Sequence, residues 1–384
     1  MTTDRAVDEE TASAEEGLAE LLERTLSEEE LDDQSEAVTE AVAVTFATQD
    51  YPVDGLVSRL DKGTMLIPQF GSGNDKVKSA GFQRGFVWTK KQMDKFVESL
   101  LLEYPIPGIF LVKQPGDNRL LVLDGQQRLE TLRRFYKGVH EDRVFKLDNV
   151  STPFKGLTYE NLNEEQRILL DNSYMQATIV TADGSDQVYD AIYQIFERLN
   201  SGGTQLTPHE IRVALFSGGL MDSVAELNRD PNWRALYGAQ SKRVRDHELV
   251  LRILAMYERS DKYRRPMKTF LNGFAKDFRH ESMVANELGR RFLEAARLIY
   301  RSSGQIALRR PGTSQVNAAQ TEALFVAVMD YFDASKPAES DLSERIAVLK
   351  DDPQFIQGVT RATADNDAVR MRLERARLVV HGES

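Results

Sequence analysis

The chain has 384 residues, a hydrophobic content of 41% and a net charge of −11, enough apolar sequence for one large domain or two ordinary ones. It has no cysteine, which excludes disulfides, thiolate zinc sites and a cysteine nucleophile. No apolar run approaches the length of a membrane span, and the acidic start of the chain is unlike a secretory signal. We therefore expect a cytoplasmic protein that makes no contact with a membrane.

The negative charge is concentrated at the start of the chain. Residues 1–50 hold 16 Asp and Glu against 2 Lys and Arg, a net charge of −14, so the remainder carries +3. Residues 1–40 have few aromatics and are predicted to be a disordered acidic arm that keeps the chain soluble, with docking to a partner as the alternative. A nearly neutral body lacks the basic footprint of a dedicated DNA-binding domain, although one face could still bind DNA.

The segment 41–215 mixes amphipathic helices with apolar runs of strand length. Helices are predicted at 53–60 and 89–103, the second with Met93, Phe96, Val97 and Leu100 along one side. Extended segments are predicted at residues 64–67, 82–88, 109–113, 120–123 and 176–181. This pattern is typical of an α+β domain in which a small mixed sheet packs against helices.

The segment 216–384 is predicted to be a helical domain. Nearly every periodic stretch in it has helical spacing, and we predict helices at residues 247–257, 284–300, 321–332, 342–349 and 366–380. Thr207 and Glu210 form the pattern of a capping box, with Pro208 at the first helical position. His209 is expected at the surface, and the Arg-rich stretches 242–245 and 370–377 are expected on solvated helix faces paired with Asp and Glu.

A strand that runs directly into a helix is predicted at residues 119–138. The apolar run 120–123 breaks at Asp124 and Gly125, and helical spacing then continues to Gly138, which is expected to end the helix. Asp124 is the predicted N-cap, and Gln127 is placed to reach back to it. Such a junction leaves backbone N–H groups available to a phosphate, and Arg128 adds a forked cation. The alternative is an ordinary strand–turn–helix in which Arg128 forms a salt bridge.

Residues 124–128 read Asp-Gly-Gln-Gln-Arg and resemble the signature of the N-terminal domain of GmrSD-type restriction endonucleases. Three further blocks are similar to the family in the expected order. They are Phe-Gln-Arg-Gly-x-x-Trp at 82–88, Pro-Ile-Pro at 105–107 and Phe-x-Arg-Leu-Asn-x-Gly at 196–202. The resemblance covers roughly residues 51–275. The His-x-x-Asp-His-type nuclease (HNH) domain that many relatives carry at the C-terminus has no counterpart here.

The resemblance implies a ParB/sulfiredoxin-like core in which the phosphates of a nucleotide lie against the strand–loop–helix junction. In that setting Gly125, Gln126, Gln127 and Arg128 would contact the phosphate chain. Asp124 would cap the helix or help to hold a magnesium-bound water, and no direct metal ligand is assigned. The implied cofactor is a nucleoside triphosphate, whether GTP, ATP or another, with Mg²⁺.

Two further groups of residues are assigned to the same cleft. Arg84 lies between aromatic neighbours in an extended segment, so we expect it to face a cleft as a second phosphate or nucleic-acid ligand, with Gln83 beside it. An ion pair with Asp or Glu is the alternative for Arg84. The family block predicts that Arg198 and Asn200 face the cleft with Arg128. An extra Gly-rich segment at 71–81 departs from the family pattern and resembles a substrate loop.

These residues lead to one preferred function and two alternatives. The preferred function is a nucleotide-binding and NTP-hydrolysing regulatory module of a GmrSD-like restriction system, in which Asp124, Arg128 and Arg84 act in catalysis. A separately encoded nuclease subunit would then cut foreign or modified DNA, a role in phage defence. The second hypothesis is a ParB-like protein that binds or nicks DNA, and the third is a non-enzymatic adaptor for a partner nuclease.

Overall fold

The structure is a computed structural model, and it describes residues 44–67, 88–113, 118–183, 185–199, 207–241, 243–284, 286–331 and 339–382. These residues divide into two compact units. Residues 44–199 form the sheet unit and residues 207–382 form the helical unit. The predicted arm at 1–40 and the insertion at 71–81 lie outside the described residues.

The sheet unit contains seven described strands. They are β1 (Thr45–Pro52), β2 (Met65–Leu66), β3 (Ile109–Lys113), β4 (Leu120–Asp124), β5 (Val139–His140), β6 (Arg143–Val144) and β7 (Tyr174–Thr181). Five of them form a mixed sheet in the order β1-β7-β3-β4-β2, while β5 and β6 pair with each other. β7 lies parallel to β3 and antiparallel to β1, and β4 lies parallel to β2 and antiparallel to β3.

One extra residue interrupts the ladder between β3 and β4. Leu111 pairs with Val122 and Phe110 pairs with Asp124, so Leu123 is the additional residue of a β-bulge. Successive side chains of a strand point to opposite faces of the sheet. The bulge therefore sets the face to which Asp124 belongs.

Five helices of the sheet unit pack around this sheet or follow it in the chain. They are α1 (Val53–Asp61), α2 (Lys90–Leu101), α3 (Gln126–Lys137), α4 (Glu164–Asn172) and α5 (Asp186–Leu199). α2 begins with a capping box of Thr89 and Gln92, and it buries the apolar side that its spacing predicts. The core joins that side of α2 to the buried side chains of α1, α3, β3 and β4, among them Leu56, Leu132, Ile109 and Val122.

The helical unit contains ten described α-helices. They are α6 (Pro208–Leu215), α7 (Gly219–Leu227), α8 (Pro231–Tyr237), α9 (Arg245–Arg259), α10 (Met267–Asp277), α11 (Glu287–Ser303), α12 (Ala318–Asp330), α13 (Glu339–Asp351), α14 (Pro353–Gly358) and α15 (Asn366–His381). α12 lies at the centre, because eleven consecutive residues from Ala319 to Met329 are buried. Trp233 of α8 is fully buried and packs against Phe292 and Phe325.

A buried ion cluster joins three helices of this unit. Glu322 of α12 accepts hydrogen bonds from Arg252 of α9 and from Arg372 of α15, whose Nη2 lies 2.8 Å from Glu322 Oε1. Glu322 and Arg372 are fully buried. The expectation that the Arg residues of 370–377 all lie on solvated faces is therefore wrong for Arg372, because its charge is balanced inside the core.

The predicted fold class is confirmed as a mixed sheet with helices followed by a mainly helical half. The predicted helices match α1, α2, α3, α9, α11, α12, α13 and α15 to within a few residues. β1 was not predicted. Its residues 45–50 are exposed, so they lack the alternation of apolar and polar residues that marks a half-buried strand.

Candidate functional site

The junction between β4 and α3 turns at Gly125. The backbone of Gly125 has φ 96° and ψ 7°, which is left-handed, and α3 begins at the next residue, Gln126. A Cβ atom at this position would lie 2.3 Å from Ile109 Cγ2. Both the backbone conformation and the contact with β3 therefore require glycine, which explains the Asp-Gly pair in the sequence.

The start of α3 differs from the prediction. Gly125 is the N-cap and has no side chain with which to cap the helix, so the predicted N-cap role of Asp124 is wrong. Asp124 is instead the last residue of β4, and Gln127 reaches a different segment. Gln127 Oε1 accepts a hydrogen bond from the backbone N–H of Trp88 at 3.2 Å. The end of the helix agrees with the prediction, because Gly138 is the C-cap with φ 70°.

Arg128 is 8% exposed, and two oxygen atoms hold its guanidinium. Nη1 donates to the Pro107 carbonyl at 2.7 Å, and Nη2 donates to Asp124 Oδ2 at 2.8 Å. The forked group thus ties the start of α3 to the segment before β3 and to the end of β4. This arrangement is the salt-bridge alternative for Arg128, so a phosphate would have to displace these partners to reach the guanidinium.

Three of the four family-like blocks meet at this junction. Trp88 ends the first block and bonds to Gln127, and Pro107 belongs to the second block and bonds to Arg128. Trp88 packs edge-on against Phe96 with ring centroids 5.6 Å apart. Gly108 lies so close to β7 that a Cβ atom would come within 2.8 Å of the Gln176 carbonyl oxygen. The sequence order of these blocks signals that they belong together, but the contacts between them are visible only in the structure.

The solvent side of the junction is formed by Asp124 and the first turn of α3. The Asp124 side chain is 41% exposed, and Gln126 and Gln127 are half-buried. A helix start attracts anions because its first N–H groups and the positive end of the helix dipole point toward them. A carboxylate beside phosphate oxygens is also a typical environment for hydrated Mg²⁺. Within the described residues, no group of three or more acidic or imidazole side chains forms a ready metal site.

The remaining predicted site residues are only partly described. Gln83, Arg84 and Asn200 lie outside the described residues. Arg198 is exposed in the last turn of α5, a helix that contacts β4. The grouping of Arg84, Arg198 and Asn200 with Arg128 therefore stays a prediction.

The first turn of α6 lies in a buried polar cluster of the helical unit. Thr207 and Glu210 form the predicted capping box with Pro208 in the first turn. His209 is fully buried, however, so its predicted surface position is wrong. Burial, reinforced by the neighbouring Arg212, holds the pKa of His209 well below its usual value. Arg212 Nη1 lies 3.1 Å from His209 Nδ1 and also donates to Glu248.

Two further groups extend this cluster. Arg243 is 8% exposed and forms an ion pair with Glu210 at 3.1 Å, so the solvated position expected for the stretch 242–245 is wrong for Arg243. His247 lies across from His209, with ring centroids 6.5 Å apart. Burial lowers the pKa of His247 to about 4. The sequence shows the capping-box pattern at 207–210, but it does not show that every residue of α6 is buried.

These observations define an α+β domain in which a glycine turn connects a bulged strand to the start of a helix. Residues 66–217, which include this junction, match the family model of the GmrSD restriction endonuclease, N-terminal domain. This match confirms the resemblance that the sequence motifs predicted for this part of the chain. Neither a curated protein nor a solved structure matches the chain. Within the described residues, no helix has both the length and the apolar composition that a bilayer crossing requires.

Proposed function

We propose that the family-like part of this chain is the nucleotide-binding, NTP-hydrolysing regulatory module of a restriction system that defends against phage. The observation that carries this proposal is the start of α3 at a glycine N-cap, Gly125, beside the half-exposed carboxylate of Asp124. Backbone N–H groups at such a helix start are suited to phosphate oxygens. The match to a restriction endonuclease domain supports the biological setting. In our proposal a separate nuclease cuts the foreign or modified DNA.

The proposal divides the work among the residues of the Asp-Gly-Gln-Gln-Arg block. The N–H groups of the first turn of α3 would contact the phosphates, and Asp124 would help to hold a hydrated Mg²⁺, which would neutralise phosphate charge. Arg128 acts as a positioning residue, because its bond to Asp124 Oδ2 fixes the carboxylate and its bond to Pro107 fixes the turn. Arg84, Arg198 and Asn200 are proposed to complete the phosphate site. Hydrolysis would then depend on positioning and on stabilising the charge that develops on the transferred phosphoryl group.

A charge placed at the start of α3 tests this proposal. Gln126→Glu puts a carboxylate where the phosphates are proposed to bind. In the protein without nucleotide, the helix dipole favours that carboxylate by about 0.3–1 kcal/mol. The variant should therefore be as stable as the wild type, or more stable, but should lose nucleotide binding. The measurement is thermal unfolding with a panel of nucleoside triphosphates and Mg²⁺. At ligand one hundred times its dissociation constant, the wild type should gain about 2.7 kcal/mol.

Gln354→Glu is the matched control, because Gln354 is exposed in the first turn of α14 in the helical unit. It makes the same charge change at another helix start and should leave nucleotide binding intact. Arg128→Ala is less informative, because it breaks two bonds that hold the junction together. Equal stabilisation of wild type and Gln126→Glu by nucleotide would refute the proposed phosphate site. DNA binding that falls with salt and ignores nucleotide would support the ParB-like alternative.

A further inference from the structure

A groove of about 1130 Å³ opens on the sheet unit, and none of the residues that line it belongs to the Asp-Gly-Gln-Gln-Arg block. Its walls come from the C-terminal end of α2, the segment 103–106, helix α4 and the start of β7. We call it the acidic groove and define it by Asp50, Glu103, Tyr104, Ile168 and Tyr174. These residues are all described, and they all belong to one unit.

The acidic groove contains large apolar side chains that are exposed to solvent. Tyr104 is 59% exposed, Ile168 is 54% exposed and Tyr174 is 65% exposed, and all three line the same depression. Single exposed apolar residues are normal, but a contiguous group in a concavity is typical of a surface that binds another molecule. Leu100 and Ile106 line the same depression and add to its apolar lining.

The rim of the acidic groove has one sign of charge. Four carboxylates line it, those of Asp50, Glu103, Glu164 and Glu165. Among the described residues that line the groove, none is Lys, Arg or His. Glu164 and Glu165 also stabilise the first turn of α4, but the helix does not account for Asp50 or Glu103. The groove therefore presents a negative potential around an apolar lining.

This combination selects the chemistry of the occupant. Nucleic acid is disfavoured because its phosphates would face the carboxylates at short range. The segment 1–40 of this chain is disfavoured for the same reason, since it carries a net charge of −13. A guanidinium suits the site, because it pairs with carboxylates and also stacks on tyrosine rings such as those of Tyr104 and Tyr174.

We propose that the acidic groove is the docking site for an arginine-containing apolar segment of a partner protein. One or two apolar side chains of the segment contact the apolar lining at Tyr104 and Ile168, and its basic residues pair with the rim. This proposal does not depend on nucleotide binding at α3, so either proposal can be refuted without affecting the other.

Selection from a random peptide library tests the proposal, because it needs no partner of defined sequence. A phage-displayed library of random dodecapeptides is selected on the full-length wild type and depleted on the variant Ile168→Asp. Ile168 is half exposed, so the variant should fold, and its thermal unfolding is checked first. The enriched peptides should carry Arg or Lys beside an apolar residue. They should bind the wild type at least tenfold more tightly than Ile168→Asp in fluorescence anisotropy.

Two matched variants separate the groove from the general surface. Ile356→Asp changes an exposed isoleucine of α14 outside the groove and should leave peptide binding unchanged. Glu165→Lys on the rim should weaken binding severalfold and reduce its dependence on salt, whereas Glu374→Lys, exposed on α15, should not. The proposal is overturned if no peptide depends on Ile168, if the enriched peptides lack basic residues, or if duplex DNA binds in a manner that Ile168→Asp abolishes.

Discussion

Gly125 illustrates how one residue determines the geometry of the candidate site. It combines a left-handed backbone with a close approach to Ile109. Gly138, at the other end of the same helix, also has a left-handed backbone, but a Cβ atom there would meet nothing within 4 Å. The two glycines therefore allow backbone strain to be separated from steric contact.

We predict that Gly125→Ala lowers the free energy of unfolding by about 3 kcal/mol, because strain and the clash with Ile109 add to each other. Gly138→Ala should cost only about 1 kcal/mol, since strain acts alone there. Urea unfolding followed by circular dichroism measures both values. Equal costs for the two variants would show that the contact between the turn and β3 is unimportant.

Much of the candidate site was predictable because its residues are adjacent in sequence. The turn at Gly125, the helix after it and the cap at Gly138 follow from local backbone preferences. The pairing of Arg128 with Pro107 and of Gln127 with Trp88 does not, because it joins segments 21 and 39 residues apart. Asp124 pairs with Phe110 as the last residue of β4, and its carboxylate accepts a hydrogen bond from Arg128 instead of capping the helix.

At the scale of elements, the buried cluster of Glu322 with Arg252 and Arg372 holds α9, α12 and α15 together. Removing one charge from such a cluster leaves the others buried and uncompensated, a large cost in the protein interior. Asp367 and Arg370 form a comparable pair on the surface of α15, with side chains 83% and 69% exposed. The surface pair is therefore a suitable control.

We predict that Glu322→Gln lowers the free energy of unfolding by about 3–5 kcal/mol, because two buried guanidinium groups lose the negative charge that they share. Asp367→Asn should change it by less than about 0.5 kcal/mol, as water screens the exposed pair. Chemical denaturation of both variants gives the comparison. A small effect of Glu322→Gln would mean that water or other groups compensate the arginines.

Helices were predicted better than strands, for a reason visible in their burial. α2 and α11 each bury one side, so their apolar residues recur with helical spacing. β1 is exposed over six of its eight residues, and it belongs to the sheet through its backbone bonds to β7. The burial of His209, Arg243 and Arg372 could not be predicted either, because charged residues enter a core only when distant partners are present.

At the scale of the whole molecule, the two tryptophans report on different units. The chain has two, Trp88 in the sheet unit and Trp233 in the helical unit. Trp233 Nε1 donates to Asn228, which in turn donates to Asp246, the neighbour of His247. Fluorescence of Trp233 therefore reports on the surroundings of the buried imidazoles.

We predict that the helical unit loses stability as the pH falls from 7 to 5. Burial lowers the pKa values of His209 and His247 in the folded state, so below about pH 6.5 the unfolded chain binds protons that the folded chain does not. At pH 5 the cost from His247 alone is about 2 kcal/mol. In the variant Trp88→Phe, the fluorescence comes from Trp233 and follows the helical unit. The urea concentration at the midpoint of unfolding should be lower at pH 5 than at pH 7. An unchanged midpoint would contradict the burial of both rings.

The bulge at Leu123 has a consequence for how this junction can vary. A strand alternates its faces at every residue, and Phe110 pairs with Asp124 only because one residue of β4 is left unpaired. If every residue of β4 paired in the register of Leu111 and Val122, Asp124 would pair with Ile109, and its carboxylate would point to the opposite side of the sheet, away from the guanidinium that holds it. Exchange of Leu123 for another aliphatic residue keeps the bulge and the orientation of Asp124. The register of β4 is therefore under tighter constraint here than the identity of the aliphatic residue at position 123.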